Sequence, residues 1–141
     1  MFDEIKFTEL TRDLIDCDYA LGDTSKGYDC VSAICHVYKG MGANIPDEWK
    51  GLTFETYATR FGGDHWEDDL IEFSRSLGHS VEINYIRKGD LIVFDKPPIR
   101  GPGIYLGNGY VFRIYDGAIR GGKVSPLRYF HDAIVDIRRL I

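Results

Sequence analysis

At 141 residues, 44% hydrophobic and 13% aromatic, the chain has enough apolar material for one domain with a real core, which excludes general disorder. A net charge of −5 argues against a nucleic-acid binder, because phosphate contact needs clustered Lys and Arg. The cysteines Cys17, Cys30 and Cys35 show no Cys-x-x-Cys spacing and make neither a disulfide framework nor a zinc site, so no metal and no cofactor are expected.

The first elements read as helices. Phe7, Leu10 and Leu14 recur at helical spacing, with Asp3 or Thr8 placed to cap the start. Residues 16–26 are polar and turn-rich, and Gly22 and Gly27 act as breakers. The next helix is the clearest element. Cys30, Ala33, Ile34, Val37, Tyr38 and Met41 form one stripe, Asp29 stands at the N-cap, and Gly40, Gly42, Asn44 and Pro46 end it. A third helix is expected from near Trp66, since Trp66, Leu70, Phe73 and Leu77 share a face and Gly78 follows as a stop.

After Gly78 the pattern changes to strands. Residues 81–85 and 90–94 are candidates, Pro97 and Pro98 break the run, and residues 104–106 and 110–115 flank the hairpin signal Gly107-Asn108-Gly109. Residues 133–140 form the last predicted strand. Helices first and strands second imply a single α+β domain over residues 1–141, with N-terminal helices packed on a mostly antiparallel, five- to six-stranded sheet. The basic stretch from Arg128 to Arg139, interrupted by Asp132 and Asp136, reads as a solvated face. No run approaches the roughly 20 apolar residues of a membrane span. The start, Met1-Phe2-Asp3-Glu4, lacks the basic and apolar regions of a signal peptide, so a non-secreted location is expected.

Cys30 carries two readings. On the apolar stripe of its helix it is a buried core thiol, the common fate of free cysteine. In the first helical turn it also meets unpaired N–H groups and the positive end of the dipole, which favour thiolate. A nucleophile further needs a base.

The motifs around Cys30 recur in a known family. Tyr19 and Gly22, then Gly27-Tyr28-Asp29-Cys30 opening a helix that ends in Val37-Tyr38, resemble the NlpC-type peptidases, papain-like cysteine endopeptidases of bacterial cell walls. Lys88-Gly89-Asp90-Leu91 and Gly103-Ile104-Tyr105-Leu106-Gly107-Asn108-Gly109 resemble that family's strand and hairpin motifs, in the same order. The resemblance implies a papain-like fold with Cys30 in the nucleophile position. It also implies Asp29 as a residue holding a substrate amine and Tyr19 lining the site near the oxyanion position. From the residues alone, Asp29 is equally a helix cap and Tyr19 a packing residue.

The pattern departs where the base belongs. By the resemblance, the general-base histidine falls on Gly101 and the third polar residue on Arg113. A glycine can neither deprotonate the thiol nor protonate the leaving amine, and a guanidinium is a poor acid. His36 lies about 240° around the helix from Cys30. His65 and His79 flank the third helix as candidate replacement bases, and His131 reads as a surface residue near the last strand. An imidazole restored at positions 101 and 113 is expected to depress the Cys30 pKa.

Two functions follow from the resemblance. The first is a degenerate, catalytically inactive domain kept for binding or assembly, such as a bacteriophage tail component. Its partners are other virion or tail proteins, or peptidoglycan peptides, and its location is the virion or the cytoplasm. The segments 95–102 and 116–123 are then candidate contact loops. The second is an active cysteine endopeptidase or amidase using a displaced base. A thiol-transfer or redox role for Cys30 is a third reading.

Overall fold

The computed structural model describes residues 2–22, 25–53, 56–57, 66–115 and 121–141. The chain is α+β. Helices α1 (Glu4–Arg12), α2 (Cys30–Gly40) and α3 (Trp66–Ser76) precede strands β1 (His79–Ser80), β2 (Leu91–Lys96), β3 (Ile99–Gly107), β4 (Tyr110–Tyr115), β5 (Gly121–Pro126) and β6 (Ile134–Arg139). The strands form one sheet in the order β1-β6-β2-β3-β4-β5, with every pairing antiparallel.

Local chemistry sets the helices. The Asp3 carboxylate accepts from Lys6 N–H and starts α1, and Thr8 lies within that helix. On α2 the stripe buries Ala33, Ile34, Val37 and Tyr38 at 2% exposure or less, each Ile or Val side chain contributing about 1.5–3 kcal/mol. Leu70, Phe73 and Leu77 are buried likewise, at 6% exposure or less, from α3 and its C-terminal end. These faces meet Leu91, Ile104, Phe112 and Ile114 in the main core. The Tyr38 hydroxyl donates to the Gly89 carbonyl at 2.8 Å and fastens α2 to the start of β2.

A smaller core lies on the other face of the sheet. There Ile92, Phe94 and Val111 pack under a 3₁₀ segment, Leu127–Ala133, with Phe130 seated on it. The sheet is therefore covered on both faces in its middle.

Four sequence expectations are corrected. Residues 81–85 alternate like a strand but form a 3₁₀ turn at Ile83–Tyr85; pairing at this edge covers only His79 and Ser80, opposite Arg139 and Arg138, and one further bond from Val81 N–H to the Ile137 carbonyl. Residues 121–123, expected as part of a contact loop, open strand β5, whose Gly121-Gly122 start has no side chains to show alternation. The segment 95–102 is not a loop: it is the β2–β3 hairpin, and Arg100 is held at 2.5 Å from Asp68 and 2.7 Å from Asp95. The basic C-terminal stretch is not merely solvated, since Arg139 grips the buried Asp90 carboxylate through both oxygens at 2.9 and 2.7 Å. The 116–120 part of the second expected contact loop, and His65, lie outside the described residues. Among the described residues no helix is long and apolar enough to cross a membrane.

Candidate functional site

The approach to α2 is built by a backbone clasp. Ala20 N–H donates to the Tyr28 carbonyl at 3.0 Å, and Tyr28 N–H to the Asp18 carbonyl at 2.9 Å. A Cβ at Gly27 would lie 2.1 Å from the Asp18 oxygen, so the closure demands glycine there. The clasp sets Tyr19 opposite Tyr28, and both pack, half-buried, against the main core.

Asp29 caps α2 through a reciprocal pair. Its Oδ1 accepts from Ser32 N–H at 2.8 Å, and Asp29 N–H donates to Ser32 Oγ at 2.8 Å. Its Oδ2 accepts from Gly22 N–H at 2.7 Å and from the Tyr57 hydroxyl at 2.5 Å. At 2% exposure this carboxylate is enclosed, with three donors on it. Burial, then the bond to Asp29, pushes the Tyr57 phenol well above its ordinary range, which keeps it a donor. Nothing in the sequence signalled Tyr57, because it reaches the site across 28 positions with no local pattern.

Cys30 follows as the first helical residue, partly buried and outside any disulfide. Its Sγ lies 4.0 Å from the Ile114 carbonyl oxygen. Around it stand apolar groups of Ala33, Ile34, Pro102, Ile104, Phe112 and Ile114. One turn on, Cys35 is a core thiol, pushed up to about 11 by burial.

Of the two slots assigned to histidine, Gly101 directly precedes Pro102 of the Cys30 surround, and Arg113 turns away from it. Gly101 pairs with Phe94 and has φ +118°, a conformation L side chains rarely adopt. A Cβ built there would lie 3.5 Å from Leu70 Cδ2 and so set out toward α3. Arg113 sits between Phe112 and Ile114, which face the helices, so strand alternation turns it to the opposite face. Its guanidinium there lies 5.2 Å from the Phe94 ring centre and 5.3 Å from that of Phe130. An imidazole at 113 would therefore start on the face opposite Cys30.

The described histidines are occupied or distant. His36 Nε2 is 2.9 Å from Asp13 Oδ2, with its ring against Tyr28. His79 lies on β1, three strand spacings from β3, about 14 Å at the usual inter-strand distance. His131 is exposed in the 3₁₀ segment and pairs with Asp132 at 3.8 Å. Among the described residues, none of these imidazoles lines the Cys30 pocket.

The NlpC/P60 family model matches residues 16–139, from before the clasp to the end of β6. The chain belongs to the NlpC/P60 family. Its fold is that of an NlpC/P60 family protein from Bacillus cereus (TM-score 0.69, 21% identity, over 98% of this chain and 40% of that one). The peptidoglycan hydrolase RipB of Mycobacterium tuberculosis matches with TM-score 0.65 and 18% identity, over 98% of this chain and 64% of its own. RipD of the same organism, described as a non-catalytic NlpC/P60 domain protein adapted to peptidoglycan binding, matches with TM-score 0.61 and 18% identity, over 98% and 97% of the two chains. At these identities the likeness is one of fold, and this NlpC/P60 domain spans less than two thirds of the first two relatives. No curated protein matches it.

Proposed function

We propose that this NlpC/P60 domain binds peptidoglycan peptides, or a partner in an assembly that meets the wall, without cleaving them. The observation that carries the reading is the apolar surround of Cys30, with no imidazole among the described residues lining it. Amide cleavage by a thiol needs a base to take the S–H proton and an acid to protonate the leaving amine, and one imidazole ordinarily does both. Arg113, turned to the far face against Phe94 and Phe130, does neither. The description of RipD offers a relative in which binding has outlived catalysis. A phage tail tip touching the wall is one setting for such a module, and other tail proteins are its partners there.

Co-sedimentation with insoluble peptidoglycan tests the reading. The expected result is saturable retention of both wild type and Cys30→Ala, with no peptide released into the supernatant. Release by wild type that Cys30→Ala abolishes would overturn it in favour of an endopeptidase or amidase with a displaced base.

A further inference from the structure

A cleft of about 680 Å³ lies at the far end of α2 from Cys30, about 16 Å along the axis of this 11-residue helix. That volume suits a small ligand. One wall is the turn from Arg87 to Asp90, which is held at several points. Arg87 N–H donates to Asp90 Oδ2 at 2.8 Å, and Asp90 N–H donates to the Arg87 carbonyl at 3.0 Å. Gly89 N–H donates to the Tyr105 carbonyl at 2.8 Å, and the Gly89 carbonyl accepts from the Tyr38 hydroxyl. Gly89 has φ +95°, and a Cβ there would lie 2.7 Å from Phe2 Cε2, so the turn closes on the Phe2 ring. Lys88 runs along Gly107, its Cε 3.3 Å from where a Cβ would stand.

The cleft carries charge that the fold does not use. Among the described residues, its cations Lys6, Arg87 and Lys88 pair with no carboxylate, whereas Arg75, Arg100, Arg138 and Arg139 each hold an aspartate. Lys6 stands at the third position of α1, near the positive end of the helix dipole. A cation is disfavoured there, and a capping box places Glu or Gln at that position. Asp3 already caps α1, and the last carbonyls of α2 accept from Met41 and Ala43 N–H, so neither helix end requires these cations. Of the acids in the cleft, Asp90 is gripped by Arg139 through both oxygens and Asp3 is spent on the cap. Glu4 pairs with no cation among the described residues.

Three uncommitted cations, one uncommitted carboxylate and the apolar side chains of Phe2 and Met41 describe a ligand with several acid groups, an amine and small apolar parts. A simple inorganic anion would leave the apolar floor unused and meet Glu4 as a like charge. We propose that this cleft is a second binding site, for a short acidic peptide with a free amine. Its carboxylates meet Lys6, Arg87 and Lys88, its amine meets Glu4, and its apolar groups lie on Phe2 and Met41. A peptidoglycan stem peptide has this composition. For that ligand the inference rests on the wall-binding reading above, and it places the peptide outside the Cys30 surround.

Calorimetric titration of the full chain with a peptidoglycan stem tetrapeptide at low salt tests the proposal. Wild type is expected to bind it, and to bind the form with amidated carboxylates about tenfold or more weakly. Arg87→Gln with Lys88→Gln keeps both side chains long and removes their charges, and is expected to weaken the tetrapeptide about tenfold. Lys6→Gln is expected to weaken it about two- to fivefold while the denaturation midpoint holds or rises, a combination that a merely structural lysine would not give. A tetrapeptide that wild type does not bind, or that the folded double variant binds equally well, overturns the proposal. Displacement of the tetrapeptide by inorganic phosphate at equal concentration also overturns it. Retention of wild type by insoluble peptidoglycan without tetrapeptide binding overturns the cleft and leaves the wall-binding reading standing. Tetrapeptide binding that the double variant loses, without retention of wild type by the insoluble wall, supports the cleft while the wall-binding reading fails.

Discussion

Replacing Asp29 with alanine removes one carboxylate and leaves three donors. The cap bond to Ser32 N–H is worth about 1 kcal/mol at a helix N-terminus. Gly22 is exposed, so its N–H regains water at little cost. The Tyr57 hydroxyl is enclosed, and losing its acceptor costs roughly 1–3 kcal/mol. The sum is about 2–4 kcal/mol, a large part of the roughly 5–15 kcal/mol that holds a typical domain folded. Guanidinium denaturation at neutral pH measures it, as a lower midpoint at unchanged slope. A second variant separates the terms. Adding Tyr57→Phe to Asp29→Ala removes a hydroxyl whose carboxylate partner is already gone, so the further loss should be smaller than that of Tyr57→Phe alone by about 1 kcal/mol or more. A loss below about 1 kcal/mol for Asp29→Ala, or fully additive losses from the two substitutions, would refute the view of Asp29 as an enclosed, three-donor latch.

Three further outcomes are expected. Gly101→Ala should cost about 1–3 kcal/mol through its backbone conformation, since the new Cβ meets Leu70 at an ordinary distance. Gly101→His should cost at least as much, by the same denaturation measurement, and an unchanged midpoint would contradict the strain argument at φ +118°. Stability should also fall in alkali. Cys35 is raised from 9.0 to about 11, and Tyr38 and Tyr57 are raised too, so the folded state keeps protons that the unfolded chain releases. The contribution of Cys35 is complete below pH 9 and declines as pH rises toward 11, by up to about 3 kcal/mol at 1.4 kcal/mol per unit. Denaturation at pH 7 and 10.5 measures the loss, and Cys35→Ala should flatten part of it; an equal stability at both values would contradict the burial argument.

Short-range chemistry was legible in the sequence. The α2 stripe, the Asp29 cap and the Gly-Asn-Gly hairpin each rest on residues within a turn or two of one another, where period and backbone preference dominate. Features decided across the chain were not. Strand β5 carries Gly121 and Gly122, which have no side chain to show alternation; the close approach of residues 14–17 requires them, with Leu14 O 2.1 Å from a Cβ at Gly122. The Tyr57 bond to Asp29 has no local signal. Arg113 was recognised as a departure from the family pattern, but only the register of β4 reveals that it faces Phe94 and Phe130 rather than the cysteine helix.

The central claim is that Cys30 stands in the nucleophile position without the means to cut. Incubating soluble, disaccharide-linked wall peptides with wild type and Cys30→Ala, and following the products by mass spectrometry, tests it most directly. The expected result is an unchanged peptide profile with both proteins over long incubation at pH 6–8. Time-dependent cleavage by wild type, absent with Cys30→Ala, would contradict it.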